Sequence, residues 1–561
     1  MIYIKIFIGI IFLNVSLLSQ NSDILNVAKS EINRSFVELK KQANPAYFIS
    51  YGITDIKRVN LSSTLGKIVR LDSSQSRILD IDLRVGSKKL DNTHTMKSEG
   101  MFFFVDRSSY TLPIENEKKA IEKQIWFSTD LAYKSAIESY DKILTNVKVK
   151  VTEEDTSDDF SYYPPQKYSE KLIENNIDLN KWKSIINRVS ALFNKDPKIY
   201  FSQVSISIEN LNKYFVNTEG SEIQQSQPTI RLFISASTKA EDGMDLPLYE
   251  SYFAFNESQM PNEEILTKAA NNIIVLLGKI REAPMMSTYS GPGILSGEAA
   301  GVFFHEIFGH RIEGQRLKDP DDAQTFKNSI NQKIISDIIN VSFDPTLNEL
   351  NGNLISGYYK YDDEGVKSQR VNIVENGIFK NYLMSRAPIQ GFEQSNGHGR
   401  RQAGYKAVSR QSNLIISSNK VVSTQELRNM LIAEAKKQGK DFGLYFVQVQ
   451  GGFTFTGRSI PNSFNVNPLL VYKVYTDGRP DEIVRGVDLI GTPLTSFSQI
   501  SAAADDLGVF NGICGAESGG VPVSASSPSL LIDKIEVQKQ SKSQSKTPIL
   551  DHPTASNSNI K

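Results

Sequence analysis

The stretch from Gly301 to Arg311 reads GVFFHEIFGHR and places His305, Glu306 and His310 within six residues. The whole chain of 561 residues contains only five histidines, so two of the five lie in this one stretch. Neutral imidazole is a good ligand for zinc, and a carboxylate beside a metal-bound water is a good general base. The stretch therefore predicts a helix that carries a metal site.

The spacing of the two histidines is unusual for such a helix. In the common zinc motif H-E-x-x-H they are four positions apart and share one helical face, whereas His305 and His310 are five apart. On a regular helix their side chains would point ~140° apart. A local widening into a π-bulge would bring them to one ion, and Gly309 lowers the steric cost of that distortion. The alternative is an ordinary amphipathic helix whose histidines are only packed or solvated.

The only cysteine of the chain, Cys514, lies in the stretch Gly512–Asp533, which reads GICGAESGGVPVSASSPSLLID. A single cysteine cannot form an internal disulfide, and a lone thiol in an exported protein is exposed to oxidation unless a metal holds it. The flanking Gly512 and Gly515 favour a loop. The alternative is an inert buried thiol, a common fate of free cysteine.

These two stretches together resemble the TldD/PmbA family of zinc metallopeptidases. That family carries an H-E-x-x-x-H motif and a late cysteine before G-x-V-P-V, and both occur here in the same order. The resemblance covers about residues 286–535 and includes three further stretches: YDDEGV (Tyr361–Val366), GHGRR (Gly397–Arg401) and GVDLIG (Gly486–Gly491). It implies that His305, His310 and Cys514 bind zinc and that Glu306 is the general base. Three protein ligands leave an open fourth position, as in catalytic zinc sites.

The resemblance also implies a peptidase that acts on short or unfolded peptides, with its active site closed off inside a dimer. The chain would form a homodimer, or a heterodimer with a family homologue. The alternative is a non-catalytic homologue that acts as the supporting subunit of a heteromeric peptidase. Homologues of that kind lack the H-E-x-x-x-H residues, and this chain keeps them.

Two further pairs of residues are candidates for substrate binding. Arg400 and Arg401 would bind substrate carbonyl or carboxylate groups near the zinc, since guanidinium suits both; the alternative is a solvated loop with ordinary ion pairs of little worth. Gly451 and Gly452, between predicted strands, would let a substrate backbone approach and add a strand. The acidic run at 362–364 predicts a turn rather than a second metal site.

The start of the chain predicts export. Lys5 is followed by the apolar run Ile6–Leu18, which is typical of a cleavable signal peptide over residues 1–19. The run is shorter than the ~20 residues of a membrane-spanning helix, so we expect a periplasmic or otherwise exported protein without a stable membrane anchor. Lys+Arg and Asp+Glu number 63 each, and without a basic run we expect no nucleic-acid partner.

The hydrophobic pattern predicts an α+β chain of two domains. Residues 20–284 alternate strand-like and helical runs, such as a helix from Asn26 to Gln42 and a strand from Arg77 to Val85, and form an N-terminal α+β domain. Residues 285–537 form a C-terminal domain of twisted, mostly antiparallel strands that carries the motif helix, expected over Glu298–Gly314. Residues 538–561 are polar and predict a disordered tail.

Overall fold

The computed structural model describes residues 16–95, 109–147, 155–319, 322, 324–454, 464–491, 497–540, 548 and 550. Helix and strand are mixed throughout these ranges, and each of the two parts of the chain has its own sheets and core. This confirms the α+β class predicted from the sequence. Within the described part of the chain, no helix combines the length and the apolar character of a membrane span.

The N-terminal part is built on one eight-stranded sheet. Its strands are β1 (Ala46–Thr64), β2 (Lys67–Ser87), β3 (Leu90–Asp91), β4 (Ser109–Thr111), β5 (Lys167–Ser169), β6 (Phe201–Asn217), β7 (Glu222–Lys239) and β8 (Asp245–Ala254). The strand order is β3-β2-β1-β6-β7-β5, with β4 paired to β2 and β8 to β7. The pairs are antiparallel except β5 with β7, so consecutive long strands form hairpins.

Four helices cover this sheet in two pairs: α1 (Ser16–Leu39), α2 (Lys118–Val147), α3 (Leu179–Ala191) and α4 (Glu263–Glu282). The first pair packs its apolar residues on β1, β2 and the end of β6, and the second pair packs on β6, β7, β8 and the end of β1. The start of α4 shows why the helix forms there. Asn262 accepts a hydrogen bond from the backbone N–H of Ile265 at 3.0 Å, and the first turn is acidic while the last is basic, as the helix dipole favours.

Within the described ranges, the C-terminal part contains two larger sheets and the helices α5 (Gly297–Ile307) and α6 (Thr424–Lys437). Its strands are β9 (Tyr289–Leu295), β10 (Ile339–Phe343), β11 (Glu349–Leu350), β12 (Asn353–Leu354), β13 (Val371–Glu375), β14 (Ile378–Phe379), β15 (Gly399–Arg400), β16 (Val408–Ser409), β17 (Asn413–Ser418), β18 (Val421–Val422), β19 (Phe442–Thr454), β20 (Phe464–Tyr475), β21 (Glu482–Val484), β22 (Val487–Gly491), β23 (Ile500–Ala504), β24 (Gly508–Ala516), β25 (Gly519–Ser527) and β26 (Leu530–Lys539).

The two sheets enclose α5. One has the order β14-β13-β10-β17-β25-β24, and the other runs β18-β23-β26-β22-β20-β19-β9, with β21 on β20. In the second sheet β26 also pairs with β9, which closes five strands into a ring. Helix α5 packs against β19 of this ring and against β24 and β25 of the other sheet. The motif helix is therefore held from both sides.

Two predicted boundaries differ from the structure. Helix α1 begins at Ser16 and ends at Leu39, ahead of the predicted Asn26 start, so it includes the expected cleavage region near residue 19; residues 1–15 lie outside the described ranges. Strand β26 ends at Lys539, so the stretch expected to be a tail begins inside a strand that pairs with β22. Beyond residue 540, only residues 548 and 550 are described.

Candidate metal centre

The motif helix ends within the motif. Helix α5 starts at a cap where Ser296 Oγ accepts from the backbone N–H of Ala299 at 3.2 Å, and it ends at Ile307. Phe308 departs from helical geometry with φ −118° and ψ −53°, and a 3-10 turn follows over Gly309–Ile312. The predicted π-bulge is wrong, because the backbone tightens at this point instead of widening.

This break brings the two imidazoles together. His305 lies in the last turn of α5 and His310 in the 3-10 turn, and their ring centroids are 5.1 Å apart at 76°. Gln411 holds the junction, since its Nε2 donates to the carbonyl of His305 at 3.3 Å. A Cβ at Gly309 would overlap the end of the Gln411 side chain, so any larger residue there would displace Gln411 from this junction.

Arg311 satisfies the carbonyl groups that the early end of α5 leaves without helical partners. Its Nη1 donates to the carbonyls of Glu306 and Ile307, both at 3.1 Å. The guanidinium lies within the core, where burial lowers the pKa of Arg311 to about 10. A buried cation under the helix end thus stabilises the break between the two histidines.

Cys514 lies on strand β24, where it is the cross-strand partner of Val521 on β25. The predicted loop position is wrong, because Gly512 and Gly515 are paired members of the same strand. The thiol is 5% exposed and packs with Val521 and Val523. The strand holds it opposite the end of α5, which contacts both β24 and β25.

The three predicted ligands converge. The donor atoms of His305, His310 and Cys514 lie within 4.8 Å of one another, and Nε2 of His310 is 3.3 Å from Sγ of Cys514. In a tetrahedral zinc site with Zn–S of ~2.3 Å and Zn–N of ~2.1 Å, the S···N edge is ~3.6 Å. The donors fit one ion of that kind. Among the residues that the structure describes, no other three histidine, cysteine or acidic side chains come together in this way.

The charges within the cluster favour a thiolate. Burial raises the pKa of Cys514, but His310 and then His305 outweigh it and hold the pKa of the thiol well below its ordinary value. Burial lowers the pKa of both imidazoles, while Cys514 outweighs it and raises the pKa of His305 and of His310. A thiolate is the form of cysteine that binds metal, whereas the two imidazoles would have to release their protons when a cation binds.

Glu306 follows His305 in the last turn of α5 and is 8% exposed. Its negative charge contributes, after Cys514, to the raised pKa of His305. The role of Glu306 as the general base stays a prediction.

The candidate substrate residues have defined contacts within the fold. The guanidinium of Arg400 is buried and donates to the carbonyls of Gln411 and of Pro522, the latter at 2.8 Å. Arg401 pairs with Asp80 of the N-terminal sheet at 3.4 Å. Through these contacts, the segment of Arg400 and Arg401 is joined to β25 and to the N-terminal sheet. The substrate role stays a prediction.

Gly451 and Gly452 lie near the end of β19, where the pairing with β20 shifts register. Gly451 has φ +136°, a conformation that L side chains rarely adopt, and a Cβ there would meet no atom of the described residues within 4 Å. Their binding role also stays a prediction.

The acidic run 362–364 forms a turn, as predicted. Asp362 Oδ1 accepts from the backbone N–H groups of Glu364 and Val366 at 3.0 and 2.9 Å. Asp363 forms an ion pair with Lys213 of β6 at 2.8 Å. The run therefore ties the C-terminal part to the N-terminal sheet.

Sequence reasoning did not single out two residues beside the ligands, Glu313 and Arg410. Both are fully buried, Glu313 contacts His310, and Arg410 contacts the backbone of Cys514. The position of Glu313, three residues after the second histidine, was a signal available in the sequence. No local pattern marks Arg410, since its partners lie about a hundred residues away.

Comparison with known proteins gives two family matches. The profile of the PmbA/TldA metallopeptidase C-terminal domain matches residues 288–539, and that of the PmbA/TldA metallopeptidase central domain matches residues 164–277. The first covers the strands and helix that carry the ligand cluster. The second covers the later strands of the N-terminal sheet.

Several curated relatives are metalloproteases. One from Methanocaldococcus jannaschii is 27% identical over 356 residues, 63% of this chain and 73% of that protein. A metalloprotease TldD homolog from Buchnera aphidicola subsp. Schizaphis graminum is 26% identical over 337 residues, covering 57% and 64% of the two chains. A zinc metalloprotease TldD homolog from Saccharolobus solfataricus is 26% identical over 250 residues, covering 44% and 51%. The chain thus spans about half to three quarters of these relatives.

Solved structures share the fold. A Thermotoga maritima protein proposed to modulate a DNA gyrase has a TM-score of 0.60 at 16% identity, over 91% of this chain and 99% of that one. TldE from Thermococcus kodakarensis has a TM-score of 0.58 at 13% identity, over 92% and 100%. At these identities the likeness concerns the fold alone. From the two family profiles and the metalloprotease relatives, the chain belongs to the TldD/PmbA family of metallopeptidases.

Proposed function

We propose that this protein is a zinc-dependent peptidase that hydrolyses short or unfolded peptides. The observation that carries the proposal is the convergence of His305, His310 and Cys514, whose donor atoms lie within 4.8 Å of one another. The relatives named metalloproteases support peptidase chemistry, and one of them is named a zinc enzyme. Three ligands of this kind leave a fourth position for reactants.

His305, His310 and Cys514 would hold the zinc ion, which would supply Lewis-acid chemistry for acidifying water and polarising a peptide carbonyl. The chain itself supplies the base. We assign to the Glu306 carboxylate the acceptance of the water proton and its return to the leaving amine. The apolar surroundings of the α5 end, which include Phe304 and Phe308, exclude bulk water from the proton path.

The partial accessibility of His305 suggests from which side a peptide would approach the ligand cluster. Cys514 and His310 are buried, whereas His305 is partly accessible, and Ile513 beside the cysteine is 63% exposed. A peptide would reach the cluster from the side of His305 and of the outer face of β24. Arg400 and Arg401 remain our candidates for binding its carbonyl or carboxylate groups, and Gly451 and Gly452 for contact with its backbone.

We propose in addition that the protein is exported and works as a dimer, either with itself or with a family homologue. The apolar run Ile6–Leu18 supports export. Sequencing of the N-terminus of protein recovered outside the cytoplasm tests it: a mature N-terminus near residue 20 is expected, and one at Met1 would contradict the proposal.

The peptidase proposal is tested on the purified full chain with unfolded peptides and with a folded protein as substrates. We expect cleavage of the peptides, its loss with a chelator, and its return when zinc is added back. The same assay is run after mixing with a homologue from the same genome. Activity only in the mixture, undiminished when Glu306 is changed to Gln, would show that this chain is the supporting subunit instead.

A further inference from the structure

A buried carboxylate, that of Glu313, lies beside the second histidine of the ligand cluster. Glu313 is fully buried, and its Oε2 lies 3.2 Å from Nδ1 of His310. The other ring nitrogen, Nε2, faces Sγ of Cys514 at 3.3 Å. If Nε2 is the metal donor, Nδ1 carries the hydrogen and donates it to Glu313. Carboxylates placed in this way fix the tautomer and the ring orientation of a metal-binding histidine.

The same carboxylate also reaches the strand of the third ligand. Its Oε1 lies 3.4 Å from Nε of Arg410, an ion pair between two side chains with no exposed surface. Arg410 donates through Nη2 to the carbonyl of Cys514 at 2.7 Å, and through Nη1 to Ser518 Oγ at 2.7 Å and the carbonyl of Gly519 at 3.0 Å. Arg410 thus holds the β24–β25 hairpin at the cysteine and at its turn.

A second arginine, Arg316, also contacts the carboxylate of Glu313. Nε of Arg316 donates to Oε2 of Glu313 at 2.9 Å, and its Nη2 donates to Oε2 of Glu517 at 2.8 Å. Glu517 lies in the turn of the same hairpin, so a second path from Glu313 reaches the hairpin. A buried carboxylate is costly unless it is paired, and here Oε2 of Glu313 has two hydrogen-bond partners while Oε1 has only the ion pair with Arg410. These contacts form one connected unit.

We propose that Glu313 is the positioning residue of the metal site. Its carboxylate orients His310 and, through Arg410 and Arg316, sets the position of Cys514 relative to that histidine. The inference rests on the ligand set of the proposed function. Glu313 itself is not a catalytic residue, because it lies behind the imidazole, on the side away from the thiol.

Glu313→Gln tests the inference, because the amide keeps the size of the side chain but loses its charge. Zinc affinity is measured by competition with a chromophoric chelator, and geometry by the absorption spectrum of the Co²⁺-substituted full chain. We expect zinc affinity to fall by about 10- to 100-fold, as for other partners of metal-binding histidines, with altered cobalt bands. Affinity and spectrum equal to those of wild type would overturn the inference.

Asp91→Asn is the matched control. Asp91 is also fully buried and pairs with Arg84 at 3.0 Å, but it lies on β3 of the N-terminal sheet. The substitution removes a comparable buried ion pair, so it should lower thermal stability while zinc affinity and cobalt bands stay unchanged. If Asp91→Asn alters them as much as Glu313→Gln does, the effect is one of general stability and the positioning role is overturned.

Arg410→Lys keeps the test valid if Glu313→Gln fails to fold. Lysine keeps the charge but cannot span three acceptors, so the hairpin loses support while His310 keeps Glu313. We expect a change confined to the sulfur-to-cobalt charge-transfer band and weaker zinc binding. An unchanged sulfur-to-cobalt band in Arg410→Lys would overturn the proposed link between Glu313 and Cys514. Wild-type chain that binds neither zinc nor cobalt would overturn the proposed function itself, whereas normal binding by wild type and all variants would overturn only the role of Glu313.

Discussion

Nε2 of His310 lies 3.3 Å from Sγ of Cys514, although 204 residues separate the two in the chain. The contact exists because the end of α5 packs on the β24–β25 hairpin. The hairpin is itself paired through β25 with β17 in the six-stranded sheet. Zinc affinity therefore depends on the packing of the C-terminal part, and it can be lost by substitutions that touch no ligand.

The first prediction concerns the third ligand. Cys514→Ser replaces a thiolate with a hydroxyl, which is a poor zinc ligand. We therefore expect the variant to lose its zinc when a stoichiometric amount of chelator is added, and to have no peptidase activity. Elemental analysis of the purified protein gives the zinc content. Ile513→Ser, which places the same residue on the exposed side of β24, is the control and should keep its zinc. Equal, tight zinc in Cys514→Ser would show that the cysteine is only a buried apolar side chain.

The second prediction concerns the base. Glu306→Gln keeps the size of the side chain and removes the proton acceptor, so zinc should stay bound while kcat falls by at least ~10²-fold. Both are measured on the same preparation, by elemental analysis and by peptide hydrolysis. Glu264→Gln, an exposed position on α4, is the control for removal of one negative charge. Undiminished hydrolysis by Glu306→Gln would remove this residue from the mechanism, and loss of zinc would make it part of the metal site.

Short patterns are sufficient to account for several local features. Asn376–Gly377 is a residue pair typical of a tight hairpin turn, and the structure has both residues at positive φ between β13 and β14. Ser423 and Glu426 have the spacing of a capping box, and Ser423 Oγ accepts from the backbone N–H of Glu426 at 3.1 Å at the head of α6. In each case the information lies within four residues, so no distant contact is needed to decide the structure.

The features that sequence reasoning missed depend on distant contacts. The end of α5 at Ile307 is supported by Gln411, and the strand position of Cys514 by pairing with Val521. Arg410 is assigned only by its bonds to the hairpin turn. Helical periodicity and glycine content carry no information on such partners, so the motifs predicted which three side chains converge but not the backbone geometry that brings them together.

The third prediction concerns the close approach of α5 to β25. A Cβ at Gly301 would lie 2.8 Å from the carbonyl oxygen of Ala525, which is backbone and cannot turn away. Gly301→Ala should therefore push α5 off the strand and lower the free energy of unfolding by ~1–3 kcal/mol. Because His305 lies one turn further along α5, zinc affinity should fall as well. Urea unfolding and chelator competition measure the two effects.

Gly278→Ala is the matched control for that substitution. Gly278 is also inside a helix, α4, but the nearest atom to its Cβ would be the end of the Arg281 side chain at 3.9 Å. Alanine there should raise the free energy of unfolding by ~0.5–1 kcal/mol, through the lower entropy of the unfolded chain. If Gly301→Ala behaves in the same way, the contact with β25 does not constrain the helix.

The fourth prediction concerns pH. Burial, and then the neighbouring charge of Glu250, raise the pKa of Glu298 from 4.5 to about 7. Between these two values the folded protein holds a proton that the unfolded chain has released. Stability therefore falls as pH rises across this window, and the loss is complete above pH ~7. The location of Glu298 in the first turn of α5 would by itself favour the charged form, but the two raising effects outweigh it.

Glu298→Gln removes this titration. We expect the variant and the wild type to have similar free energies of unfolding near pH 4, and the variant to be more stable by up to ~3 kcal/mol at pH 8. Urea unfolding of both proteins at a series of pH values gives the difference, in which the other titrating groups cancel. Glu250→Gln should lower the pKa of Glu298, because it removes the repelling charge and leaves only burial to raise that pKa. The upper end of the pH window in which stability falls should then move to lower pH. A difference between Glu298→Gln and wild type that does not change with pH would mean that this carboxyl group titrates normally in the folded protein.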